Sequence, residues 1–460
     1  MSPGTLTGTL EPEQVRGARR RLLVYLGPAT LVSVGYVDPG NWASDLEGGA
    51  RFGQTLLWVL VAANAIALLM QTLAARLGVV ARMDLAQACR AFYPRSVTLA
   101  LWVMCQIAIV ACDLAEVIGS AVALNLLFGL PLLAGAAVTV ADVLMLLALQ
   151  RFGMRKLEAV VLVLLATVGT CLACEFWLAG PSWEAISEGL RPRLTADSVY
   201  VAVAMLGATV MPHNLYLHSW LVQTRAAPSN ALEQRRALRW SFIDTLVALN
   251  VAFFINAAIL TVAADVFGTA GLVVTDLRQA QALLSPLLGT ALAGVLFAVA
   301  LLCAGQSSTI TGTLAGQVVM EGFLGLRGSP ARMRLATRCA AIVPAVVALG
   351  MLGDDSTVML LLGTQVVLSI QLPFALVPLI AFTSSRRIMG AHASHPAVTL
   401  LAGVAALLVI GCNAWLVMQV AASLGASVRW ALILAACAGA ALLVYLAVAP
   451  SMQRAEYRAA

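Results

Sequence analysis

Charged side chains are what this chain most lacks. Asp, Glu, Lys and Arg make up 11% of its 460 residues, where a soluble domain carries about 25%. With 61% hydrophobic residues and a mean hydropathy of +0.92, that shortage excludes an ordinary water-soluble fold and defines a polytopic membrane protein. A cysteine framework is missing too. The nine cysteines are scattered singly through apolar stretches, apart from a C-x-x-C at Cys171 and Cys174 that has no second pair. Small-residue packing accounts for it better than a redox or metal site. There is no HExxH, and His213 and His218 stand five apart, which splays them on a helix. An intramembrane metalloenzyme is therefore set aside, and no enzyme activity is expected. Nor is a cleavable signal sequence visible: residues 1–21 are largely polar and end in Arg19, Arg20 and Arg21.

Apolar stretches are what the chain has in abundance. A span needs about 20 apolar residues. By that measure twelve are expected, at 22–49, 54–78, 98–128, 131–150, 157–178, 197–223, 240–264, 282–304, 335–352, 356–382, 397–421 and 429–449. The net charge of +6 comes almost wholly from arginines in short loops between these runs. That distribution is the positive-inside pattern and not a nucleic-acid patch. With the N-terminus cytoplasmic, the inside loops hold Arg82, Arg90 and Arg95, then Arg151, Arg155 and Lys156, then Arg225, Arg235, Arg236 and Arg239. Arg327, Arg332, Arg334, Arg386 and Arg387 follow. The outside loops are richer in Asp265, Asp276, Asp354 and Asp355, with Arg191 and Arg193 as the main exception. An even number of spans puts the C-terminus inside as well.

The stretch that organises the rest is Gly35-Tyr36-Val37-Asp38-Pro39-Gly40-Asn41-Trp42, in the middle of the first span. An ionisable group at mid-bilayer costs roughly 2.5–3.5 kcal/mol on insertion scales. Pro removes a backbone donor and Gly loosens the chain, so the helix should break there. Such a break is permitted only where it is buried in protein or lines a wet cavity. The stretch therefore reads as a midplane site for a small cation. Span 6 repeats the device: Met211-Pro212-His213-Asn214 matches Asp38-Pro39-Gly40-Asn41 as x-Pro-x-Asn, five spans later. Five is odd, so the two units face opposite ways, as in secondary transporters built from inverted repeats. The expected organisation is a tail over 1–21, a first repeat over 22–178, a second over 197–382, two additional helices over 397–449 and a tail over 450–460. Spans 11 and 12 fall outside the five-plus-five core, and the twelfth is expected to set the C-terminal location and not the mechanism.

The two signatures, with Ser308–Gln317 of span 8 and Gln365–Pro373 of span 10, resemble the Nramp family of metal-ion transporters. The likeness runs in order over about residues 20–390. It implies an all-α, leucine-transporter-like fold and proton-coupled uptake of divalent metal. It further implies metal ligands at Asp38, Asn41, Met211 and the Ala208 carbonyl, with Gln365 joining for part of the cycle. A polar network between spans 3, 6 and 9 would carry protons by a separate path.

The residues give that resemblance a chemical reading. Asp38 offers a charged oxygen, Asn41 an amide oxygen, Met211 a thioether and the unwound backbone near Ala208 free carbonyls. Ca²⁺ and Mg²⁺ take oxygen ligands, whereas a thioether suits softer transition metals. Met211 reads as a selectivity element, or else as a gap-filler. A ligating carboxylate must be deprotonated, so metal arriving at Asp38 would expel a proton. His213 titrates nearest neutrality, and His218 stands near it in sequence. Asp113 and Glu116, three apart, share a helix face, with Arg338 as counter-charge. These form a proton relay or a static ion pair. Asp142 has no assigned role beyond helix-to-helix hydrogen bonding. A sodium-coupled organic-solute transporter of the same fold is the alternative, with Ser307 and Ser308 as hydroxyls for sodium. The expectation is a monomeric importer of Mn²⁺, Fe²⁺ and related ions in the plasma membrane of a prokaryote. It would need protons, a lipid bilayer and no resident cofactor.

Overall fold

The structure, a computed structural model, describes residues 27–139, 153–225, 228, 230–272, 274, 277–325, 342–344, 346–347, 357–422 and 426–452. Most of expected spans 4 and 9 therefore lies outside the described residues. So do Asp142, Arg338, Asp354, Asp355 and both tails apart from Pro450, Ser451 and Met452.

The first apolar stretch folds as two helices. α1 (Pro28–Ser33) runs into a 3-10 turn (Val34–Val37), the backbone extends at Asp38 (φ −67°, ψ 165°), and α2 (Pro39–Phe52) begins. The break has a local cause. Pro39 has no N–H to give and its fixed φ suits a first helical position. Asp38 then serves as N-cap, with its Oδ1 accepting the Asn41 N–H at 2.7 Å, a contact worth about 1 kcal/mol. The chain continues through α3 (Leu57–Ala81), the short amphipathic α4 (Leu85–Phe92), α5 (Arg95–Phe128), α6 (Leu132–Val138), α7 (Met154–Ala179) and α8 (Trp183–Gly189).

Span 6 breaks likewise. α9 (Val199–Thr209) stops, Val210 and Met211 leave helical geometry, and α10 (Pro212–Leu221) starts on its proline. Next come α11 (Ala231–Ala263), which ends in a π-turn (Ala264–Gly268), α12 (Leu277–Leu287) and α13 (Ala291–Leu324). After these follow α14 (Thr357–Gln371), α15 (Pro373–Ser384), the single turn α16 (Arg386–Met389), α17 (Pro396–Ala422) and α18 (Ala426–Met452). Among the described residues, nine helical stretches are long and apolar enough to cross a membrane, and one of them, Pro39–Ala81, contains both α2 and α3. The described residues are almost wholly helical, as in an all-α membrane protein, and the first helix of each expected repeat is interrupted.

Span 8 differs from the expected 282–304. The crossing helix α13 runs from Ala291 to Leu324, and α12 is separate. Hydropathy missed the second half of α13 because it is rich in Ser, Thr and Gly. That half is buried in protein, and its hydroxyls bond back to their own helix: Ser307 to Ala304, Ser308 and Thr309 to Gly305, Thr311 to Ser308.

Glycines let the central helices meet backbone to backbone. A methyl group at Gly119 of α5 would overlap Pro39, and one at Gly207 of α9 would overlap the α14 backbone at Gln365 and Ser369. α1 is tied down at its start, where the Gly27 and Ala29 N–H groups both donate to Asp244 Oδ2 of α11 (3.1 and 2.9 Å). The last two helices are not equivalent. α18 is largely exposed, whereas Asn413 of α17 donates to the Ser369 carbonyl of α14 at 2.7 Å and accepts from the Ser369 hydroxyl at 2.9 Å. Span 11 thus reaches a helix of the five-plus-five core.

Candidate functional site

The two breaks face one another. The Asn41 Nδ2 donates to Asp38 Oδ1 (2.9 Å), the Ala208 carbonyl (3.1 Å) and the Gly35 carbonyl (3.4 Å). Three oxygens from two interrupted helices therefore converge on one amide NH₂. All three are buried, and Ala208 is the residue before the last of α9. The convergence follows from the breaks. The Gly35 carbonyl also accepts the Asp38 N–H at 3.3 Å, closing the 3-10 turn, whereas the Ala208 carbonyl is freed because the residue four ahead of it is Pro212, which has no N–H to give. Such a point is electron-rich and suits a cation. Turning the Asn41 amide by 180° would present its Oδ1 there in place of the NH₂.

Met211 is fully buried and packs with Ala108 and Cys112 of α5 and Leu368 of α14. Its Sδ accepts from Asn214 Nδ2 at 3.4 Å. Gly35 lies so close that a methyl there would overlap Asn214 Nδ2 and come within 3.4 Å of the sulfur. The sulfur thus lies in the protein interior beside the break of span 1, turned away from lipid. Gln365 of α14 covers Gly40, where a side chain would collide with its amide, and its Oε1 has no hydrogen-bond partner among the described residues.

Asp113 and Glu116 are buried in α5, and both carboxylates abut Gly312 of α13. They connect to the break through a residue the sequence reading passed over. The Cys112 thiol lies 3.8 Å from Asp38 Oδ2 and 3.8 Å from Glu116 Oε1, so one S–H spans the two carboxylates. His213 is buried with its Nδ1 unpartnered among the described residues. His218 turns to α3: its Nδ1 is 2.9 Å from Gln71 Oε1, and Gln71 in turn donates to the Tyr36 hydroxyl at 2.8 Å. Cys171 is buried and Cys174 exposed, so the C-x-x-C does not converge on one point.

Two further residues were missed. Asn256 of α11 donates to the Tyr36 carbonyl (2.7 Å) and more weakly to Asn41 Oδ1 (3.5 Å), so it meets span 1 on both sides of the break. Asp45 of α2 is fully buried. Its signal in the sequence was its spacing, seven residues beyond Asp38 and hence on the same helical stripe. Cys112 and Asn256 gave no such signal, because their roles depend on which helices touch. Among the described residues, no three His, Cys, Asp or Glu side chains converge as a resident metal centre requires. At the break, the carboxylate is joined instead by amides, carbonyls and a thioether.

Two broken helices, each contributing to one buried polar site, belong to a membrane transporter of the leucine-transporter-like fold. A crystallised nucleobase-cation-symport-1 family transporter, Mhp1, shares that fold at a TM-score of 0.59 and 14% identity, with 92% of this chain and 90% of that chain covered. A manganese transporter of Eremococcus coleocola superposes at a TM-score of 0.86 and 32% identity, over 97% of this chain and 98% of that one. The family described as natural resistance-associated macrophage protein-like, Nramp, matches residues 29–419. A "divalent metal cation transporter MntH" of Xanthomonas campestris is 52% identical over 406 residues, 87% of this chain and 91% of its own length. A "natural resistance-associated macrophage protein 2 homolog" of Dictyostelium discoideum is 50% identical over 402 residues, 87% of this chain and 64% of its own length. The chain belongs to the Nramp family.

Proposed function

We propose that the protein imports divalent transition-metal ions, Mn²⁺ and Fe²⁺ foremost, coupled to proton influx by alternating access. The observation that carries this is the meeting of Asp38, Asn41 and the Ala208 carbonyl between the two broken helices, beside the buried sulfur of Met211. The names of the relatives, divalent metal cation and manganese transporters, support the same cargo. Asp38, Asn41, Ala208 and Met211 bind the ion, with Asn41 rotated to present its oxygen, and Gln365, whose amide lies over Gly40, joins for part of the cycle. One carboxylate, amide and carbonyl oxygens and one thioether give a mixed set that favours Mn²⁺ and Fe²⁺ over all-oxygen ions.

Metal at Asp38 displaces its proton. Cys112 spans Asp38 and Glu116, which supports a proton route from Asp38 to Glu116 and Asp113, with His213 and Arg338 as further members. His218 serves the Gln71–Tyr36 contact in preference to that route. The protein works as a monomer in the plasma membrane with both termini cytoplasmic. It is a carrier and not an enzyme, and it requires no resident cofactor. Uptake of radiolabelled Mn²⁺ into sodium-free proteoliposomes, with an acidic exterior, tests the reading. Wild-type protein accumulates the ion and acidifies the lumen, and Asp38→Ala reduces both to background. Near-normal Mn²⁺ transport by Asp38→Ala, or a strict need for sodium, would overturn it.

A further inference from the structure

Asp45 takes no part in the site described above. It is fully buried, and neither carboxylate oxygen has a hydrogen-bond partner among the described residues. An ionised carboxylate buried without a partner is heavily disfavoured, so the group must hold a proton or face a cation.

Its surroundings are defined by contacts on either side. Asp38, Asn41 and Asp45 lie along one stripe of α2. At the lower end of that stripe, Asn256 of α11 bonds the Tyr36 carbonyl and Asn41. At the upper end, Gly49 lies against Leu260 and Ala263 of the same helix. Asp45 sits between these contacts and so faces α11 in the turn beyond Asn256. Asn256 gives its NH₂ to the Tyr36 and Asn41 oxygens, and its Oδ1 is buried with no donor among the described residues. Asp45 and Asn256, on two helices packed against each other beyond the break, thus each keep buried oxygens without a donor among the described residues, and oxygen ligands suit a divalent cation.

We propose that Asp45 and the Asn256 amide oxygen form a second divalent-cation site, about 10 Å along α2 from Asp38 (seven residues at about 1.5 Å each). This site takes the incoming ion before it reaches Asp38. The inference rests on the metal-import reading and extends it. Two divalent ions that close in a low-dielectric interior repel one another, so the sites are occupied in turn. Because it has no sulfur, the outer site admits Mg²⁺ and Ca²⁺ as readily as Mn²⁺, and discrimination falls to the inner site with Met211.

The test uses the purified full chain as wild type, Asp38→Ala, Asp45→Asn and the double variant, with ⁵⁴Mn²⁺ equilibrium binding and proteoliposome uptake. Asp45→Glu, melting temperature and gel-filtration profile serve as controls for folding. Asp38→Ala should lose uptake yet keep one saturable Mn²⁺ per chain, displaced by Mg²⁺, and the double variant should lose that binding. Asp45→Asn alone should raise KM about ten-fold with a smaller loss in kcat, and Asp45→Glu should recover most of it. The proposal is overturned if Asp38→Ala retains no saturable binding, if its residual binding survives Asp45→Asn, or if Asp45→Asn leaves KM within two-fold of wild type. Wild-type uptake by Asp38→Ala would instead sink the metal-import reading itself.

Discussion

Met211 shows how much one atom can decide. Its sulfur is buried beside Gly35, against Cys112 and Leu368, and is the one sulfur in the proposed ligand set. Removing it leaves oxygen ligands, which Ca²⁺ and Mg²⁺ accept. Met211→Ala should therefore increase inhibition of Mn²⁺ uptake by Ca²⁺ or Mg²⁺ about ten-fold, while Mn²⁺ uptake alone falls only a few-fold. Competition assays across the ion series would show it, and an unchanged ion ranking would reduce Met211 to packing. Asp38, Asn41 and Met211 were legible from sequence because a carboxylate, an amide and a thioether beside a proline are costly in an apolar span. Cys112 was not. A lone cysteine reads as one more small apolar residue until the fold sets its thiol 3.8 Å from two carboxylates. Asn256 was hidden for the same reason, since its partners are 215 and 220 residues away.

Among elements, the two interrupted helices were the most readable, because proline and an N-cap act within a few residues of themselves. The second half of α13 was the least. Its polarity lowers hydropathy, yet surrounding protein, not lipid, solvates it. Close helix crossings were equally invisible, although they set the site's width. Gly207 of α9 touches the α14 backbone at Gln365 and Ser369. A valine there must push the two helices apart, and overpacking of this kind costs about 1–3 kcal/mol. Gly207→Val should lower the melting temperature and abolish Mn²⁺ uptake, with Gly207→Ala intermediate in both. Wild-type uptake by the valine variant would show that α9 and α14 can separate without disturbing the Gln365 approach.

Over the whole molecule, the inverted repeat could be read from two four-residue matches and a count of spans, whereas the part played by the last helices could not. They looked external to the core because they follow it in sequence. Yet α17 grips Ser369 of α14 through Asn413, one turn from Gln365, while α18 is largely exposed and joins Tyr93 through the Leu446 carbonyl. Deleting residues 426–460 should keep Mn²⁺ uptake within about two-fold, whereas Asn413→Ala should cut it about ten-fold by removing the Asn413 oxygen that the Ser369 hydroxyl bonds and leaving the Ser369 carbonyl only the Leu372 N–H at 3.2 Å. Initial uptake rates normalised to protein in the membrane would decide between them. The Asn41 side chain, finally, bears on the entire working cycle. On the proposed reading its NH₂ occupies the oxygens that an ion would take, so an arriving ion exchanges one set of bonds for another and a departing ion hands them back. Loaded and unloaded forms then lie near each other in energy, which keeps the grip moderate and lets a carrier discharge where its cargo is needed.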